Sequence, residues 1–228
     1  MVCQETVKGT GARIWTAGEQ LRALTQSARW SEKNVNHGEV FGGSGSKYVS
    51  RLSFFLSGRS DFFEEIAKYR AVRRIWYRVM KEQCTAKNLR STAFRFHVQT
   101  AGAVLTAQQP LNNIARTAYH GLSAVLGGAQ SIHIDGYDKA LCTPTELSAF
   151  TALRTNQILQ LETRVPHTIE PLGGSHFVGS LTNRMEERIV DLLEKINRKG
   201  GIVKTAESPD DIQIFKWGSS LDYISIAI

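Results

Sequence analysis

The sequence is poor in cysteine: Cys3, Cys84 and Cys142 lie far apart, and no CxxC pair occurs. That spacing argues against a structural zinc ribbon and a disulfide framework, and leaves reduced thiols, buried or incidental. No apolar run reaches the ~18 residues of a membrane-spanning helix. The opening stretch MVCQETVKGTGARIW carries no apolar block of the secretory kind, so a soluble cytoplasmic protein is expected. GxGxxG, GxxxxGK[ST] and GxSxG are all absent, which removes the usual dinucleotide, P-loop and serine-hydrolase signatures. No HxxxH spacing is present either, and no metal site is expected.

What is present is 228 residues, 42% of them hydrophobic, enough for one sizeable core. The net charge is +7, with an uneven excess. Lys68, Arg70, Arg73, Arg74, Arg78, Lys81, Lys87 and Arg90 stand against Glu82 alone in that interval. Such a cluster is either a solvated helix face or a binding patch for nucleic acid, an acidic chain or a phosphorylated small molecule.

Residues 1–49 are weakly organised, and 31–48 are rich in Gly, Ser and Asn, as in a linker. The body of the chain, 50–207, alternates. RLSFFLSG (51–58) reads as a buried strand. Asp61 then caps a helix, with Glu64 completing a capping box, and Phe62, Ile66, Tyr69, Val72, Trp76 and Val79 form an apolar stripe. FRFHVQT (94–100) is a second strand, and 111–128 a second helix entered through Pro110 and stopped by Gly127 and Gly128. AQSIHIDG (129–136) is a third strand. Thr143, Pro144 and Glu146 predict a third helix, capped by Thr143 and running to about Glu162. A Gly-rich loop over 170–179 precedes a long amphipathic helix bearing Leu181, Met185, Ile189, Leu192 and Ile196, ended by Gly200 and Gly201. A short strand at 201–208 is conceivable, and 208–228 stay unassigned. This alternation implies parallel strands with helical crossovers. The fold class is α/β: a small open sheet or part of a β/α barrel, three to four units with irregular ends, since a complete barrel takes ~250 residues.

His97 and Gln99 are two apart on the second strand and share a face. A polar pair near the C-terminal end of such a strand suits a hydrogen bond to a substrate carbonyl. A satisfied strand histidine has the same spacing. His133 and Asp135 on the third strand either extend that site or orient the turn at Gly136. Arg51 and Ser53 either hold a phosphate or carboxylate or start a strand.

Beyond these patterns, long words resemble the methylmalonyl-CoA mutase family: RLSFF (51–55), FRFHVQTAG (94–102), LTAQQPLNNIAR (105–116), LGGAQSIH (126–133), ALCTPTE (140–146), ALRTNQI (152–158), EPLGGSHFV (170–178) and LTNRMEERI (181–189). The resemblance implies the C-terminal part of an eight-stranded TIM-type barrel threaded by acyl-CoA and capped by adenosylcobalamin. The implied reaction is the radical interconversion of methylmalonyl-CoA and succinyl-CoA, by this chain as a fragment or subunit. The alternative is a non-catalytic remnant binding CoA or a partner chain. It also implies that His97 and Gln99 meet the thioester, that Arg51, Ser53 and Gln130 bind the acyl-CoA, and that Gln99, Gly102, Ala103, Lys139 and Ala140 lie against the cofactor. A partner chain would then supply the remaining barrel and the cobalamin domain, whose DxHxxG word is not found here. Where the family reads YDEAL this chain reads YDKAL, which puts Lys139 at the position of a glutamate.

Overall fold

The β-branched and aromatic segments become three short strands, β1 (Phe54–Gly58), β2 (Phe96–Thr100) and β3 (Ser131–His133). They form a parallel sheet in the order β1-β2-β3. The structure, a computed structural model, describes residues 52–83, 86 and 88–198. Arg51, Cys84 and the expectations for 1–49, the 201–208 strand and 208–228 lie outside them. The helices are α1 (Phe62–Arg78), α2 (Leu89–Thr92), α3 (Asn112–Leu126), α4 (Glu146–Gln157) and α5 (His176–Arg198). α1 and α4 each continue into a π-helical turn, Val79–Gln83 and Ile158–Glu162. The fold is therefore α/β with parallel strands and helical crossovers. The described residues make three β/α units and do not themselves close a barrel.

Alternation along the strands decides which side is covered. Leu56 and Gly58 of β1 and Phe96, Val98 and Thr100 of β2 are buried beneath the helices. At Gly58 a Cβ would stand 3.3 Å from Tyr69 Oη of α1 and 3.6 Å from the His120 carbonyl of α3, so both crossovers lie on one face. Tyr69, Val72, Ile75 and Trp76 from the apolar stripe of α1 fill the core with Leu56, Phe96 and Val98. Phe54 stacks on Phe94 at 4.5 Å between centroids and meets Trp76 edge-on at 4.9 Å. α5 closes the far side of α1 with Ile189 and Leu193. Leu192 stays half-buried, because positions 189, 193 and 196 follow the 3.6-residue turn more closely.

Asp61 caps α1 as expected, its side chain accepting from the Glu64 amide. The start of α4 differs from expectation: its N-cap is Thr145, not Thr143. Asp138, buried in the preceding turn, accepts from the Thr145 amide at 3.0 Å, from Thr145 Oγ1 at 2.8 Å and from Ser148 Oγ at 2.5 Å. That carboxylate selects the cap. Burial raises its pKa, but the bonds from Ser148 and Thr145 outweigh this and hold it below the ordinary value.

β3 is also shorter than its apolar pattern. Before it, Gln130 bonds the backbone, accepting from the Phe96 amide at 2.7 Å and donating to the Gly128 carbonyl at 2.9 Å. After it, the Asp135 amide donates to Thr100 Oγ1 at 2.9 Å. A side chain thus adds to strand pairing at the first end, where the Gln130 backbone amide still donates to the Phe96 carbonyl at 3.2 Å, and takes its place at the second. Among the described residues no helix is long and apolar enough to cross a membrane. α4 turns Leu147, Phe150, Leu153 and, beyond it, Leu161 outward.

Candidate functional site

The face of the sheet away from the helices carries its own row. The register sets Phe55, His97 and Ser131 side by side, and Ser57, Gln99 and His133 beside them. Among the described residues no helix covers this row, and Phe55 is 59% exposed. Its ring lies 4.9 Å from that of His97.

His97 Nδ1 meets Ser131 Oγ at 2.7 Å, which leaves Nε2 as the ring nitrogen available to a ligand. Partial burial, and secondarily the like charge of His133, push its pKa below the ordinary value. The ring is therefore neutral near pH 7, able to donate a hydrogen bond without carrying charge.

Gln99 Nε2 donates to Asp135 Oδ1 at 2.9 Å. The same oxygen takes Lys139 Nζ at 2.6 Å and lies 3.6 Å from His133 Nε2. Asp135 is only 2% exposed, and its Oδ2 has no hydrogen-bond partner. Lys139 supplies the positive charge that a buried carboxylate needs. Its side chain lies over Gly102, where a Cβ would come within 2.8 Å of Lys139 Cε. His97, Gln99, Asp135, Gly102 and Lys139 thus run from mid-sheet past the C-terminal strand ends. Ala103 and Ala140 are exposed on the adjoining turns.

Ser53 is exposed just before β1, at the opposite end of the sheet. Gln130 also precedes its strand, and its amide is committed to the Phe96 and Gly128 backbone rather than joined to His97 and Gln99. Arg51 lies outside the described residues. Among these no group of three or more His, Cys, Asp or Glu converges as metal ligands would.

Two features escaped the sequence reading. Ser131 as the partner of His97 depends on strand register, which one strand's pattern does not specify. His120, in the middle of α3, is buried and meets Ser60 Oγ at 3.1 Å through Nε2. Burial lowers its pKa; Glu65 and Asp135 oppose that shift and Arg116 adds to it. The side chains that share its inward helix face, Asn113, Thr117 and Ser123, are polar, so no apolar stripe marked it, and nothing pointed to Ser60.

Comparison with known proteins reinforces the long words. The sequence model of the methylmalonyl-CoA mutase family matches residues 33–209, starting inside the segment read as a linker. The large subunit of 2-hydroxyisobutanoyl-CoA mutase from Aquincola tertiaricarbonis is 48% identical over 161 residues, 71% of this chain and 29% of that protein. Methylmalonyl-CoA mutase from Rhizobium meliloti (strain 1021) is 44% identical over 161 residues, 71% of this chain and 22% of that one. Mitochondrial methylmalonyl-CoA mutase from Mus musculus is 42% identical over 158 residues, 69% and 21%. The chain thus spans less than a third of the length of these relatives. With more than half of its residues matched in one block, the chain belongs to the methylmalonyl-CoA mutase family.

Proposed function

We propose that this chain contributes the thioester-binding part of an adenosylcobalamin-dependent acyl-CoA mutase that interconverts methylmalonyl-CoA and succinyl-CoA. The observation that carries the reading is the pair His97 and Gln99 on the bare face of β2. In this reading Ser131 donates to Nδ1, and the His97 proton is carried on Nε2 for the thioester carbonyl. A neutral donor polarises that carbonyl without surrendering its proton. Gln99, steadied by Asp135, holds the neighbouring part of the acyl group. Ser53, with Arg51, is assigned to the CoA end.

Sequential strands with crossovers on one face are how a β/α barrel winds. The remaining strands and the cobalamin domain are assigned to a partner chain, and the assembly to the cytoplasm. The cofactor side fits less well than the substrate side. The hollow at Gly102, where a small residue would let a ligand approach, is filled by the Lys139 side chain. The residues as they stand do not accommodate an adenosyl group there.

That same observation favours a second reading, a non-catalytic remnant that binds CoA or a partner chain. A mixing experiment separates the two. The chain is combined with chains supplying the rest of the barrel and the cobalamin domain, adenosylcobalamin and methylmalonyl-CoA. Succinyl-CoA formed with wild type and lost with His97→Ala supports the first reading. Absence of turnover in every pairing, with CoA binding retained, supports the second.

A further inference from the structure

The fold divides the basic cluster. Lys68 turns inward, bonded to Glu65 at 2.6 Å and to the Ser57 carbonyl at 2.7 Å. Arg70, Arg73, Arg74 and Arg78 of α1 instead line one groove, joined by Arg95 from the segment before β2. The groove has a volume of about 710 Å³. It lies on the helix side of the sheet at the N-terminal strand ends, apart from the bare face with His97 and Gln99.

The protein's own acceptors answer part of this charge. Glu170 lies 3.0 Å from Arg70 Nη1 and 3.7 Å from Arg73 Nη1. Glu186 of α5 lies 3.1 Å from Arg74 Nε and also pairs with Arg78. Asn183 accepts from Arg74 Nη1 at 2.8 Å. Each guanidinium carries about five N–H donors in a rigid fork, far more than these oxygens can absorb. Arg70 Nη1 is buried and, though close to Glu170, makes no hydrogen bond. Glu82 is the other carboxylate on the groove wall, so guanidinium groups outnumber carboxylates there.

We propose that this groove is a binding site for a phosphorylated small molecule, its phosphate held between Arg73 and its arginine neighbours, with the exposed Tyr77 ring beside it. Guanidinium forks match phosphate oxygens two at a time. A concavity of this volume suits a small ligand. A nucleic-acid backbone would need a continuous basic track, and Glu82 and Glu170 interrupt one. The proposal stands on the groove alone and requires no mutase activity.

The test uses the full chain and inorganic pyrophosphate, titrated calorimetrically at fixed ionic strength. Saturable binding at one site is expected, weakened about tenfold by Arg73→Gln, since one charge-assisted bidentate contact contributes about that factor. Arg73→Lys keeps the charge and the packing while losing the fork, and is expected to bind several-fold more weakly than wild type. Arg154→Gln, the same charge change on α4, is expected to bind as wild type. No saturable binding by wild type, or equal losses in Arg73→Gln and Arg154→Gln, overturns the site. Displacement of pyrophosphate by a short single-stranded RNA at lower concentration than by ATP makes the groove a nucleic-acid face and overturns the proposal too.

Discussion

Lys139 and Gln99 meet on a single oxygen: Asp135 Oδ1 accepts the ammonium at 2.6 Å and the amide at 2.9 Å. The carboxylate is buried and the lysine about one-third exposed, so the pair is shielded on one side only. Removing the lysine leaves a buried charge without its counterion. Lys139→Met is expected to lower stability by about 1–3 kcal/mol in urea unfolding. The double variant Lys139→Met/Asp135→Asn is expected to recover at least half of that loss. A double variant no more stable than Lys139→Met would mean that the pairing does not stabilise the fold.

Acid should weaken the fold through two rings. His97 and His120 both have folded pKa values below the ordinary value, chiefly from burial. The folded state then binds fewer protons than the unfolded chain once the pH falls below about 6.5. Stability is fully present above that pH and declines as the pH drops toward the folded values. His120→Gln is expected to flatten the urea midpoint between pH 7 and pH 5 relative to wild type. Parallel curves for the two proteins would remove His120 from the account.

Asp138 predicts a loss of a different kind. Its carboxylate holds Thr145 and Ser148 at the start of α4. Asp138→Ala strips the helix of that anchor and leaves the Thr145 amide unanswered, at a cost of about 2 kcal/mol. Asp138→Asn retains one acceptor and should lose less. Equal losses would show that the charged carboxylate with both its oxygens, and not side-chain shape, holds the cap.

Gly127 tests the packing behind the sheet. A Cβ there would lie 2.4 Å from Tyr69 Cδ2, against a ring that is fully buried. Gly127→Ala is expected to destabilise by about 1–3 kcal/mol, the range for overpacked cores, read from the thermal midpoint. An unchanged midpoint would mean that the Tyr69 ring can move aside.

Helix periodicity and capping were the most legible features. The stripe from Ile66 to Trp76 entered the core because side chains three and four apart share a helix face. His97 and Gln99 share a face because a strand alternates with period two. The start of α4 was misread because Thr143 and Thr145 offer the same local chemistry, and a carboxylate at position 138 chose between them. The end of β3 was hidden for the same reason, since Thr100 takes the Asp135 amide from a neighbouring strand. The family words set Lys139 where a glutamate would face the cofactor, yet its bond to Asp135 and its cover over Gly102 emerge only from the turn that brings residues 102, 135 and 139 together.

The outward apolar side chains of α4 and the margins of β1 and β3, which no described strand pairs, have a practical corollary. A surface of this kind adheres to whatever it meets, including other copies of itself. Freshly synthesised chain would draw on the folding helpers of its host for longer than a chain without such a surface does. Its yield in clear lysate would then depend more on which proteins are made alongside it than on temperature or inducer.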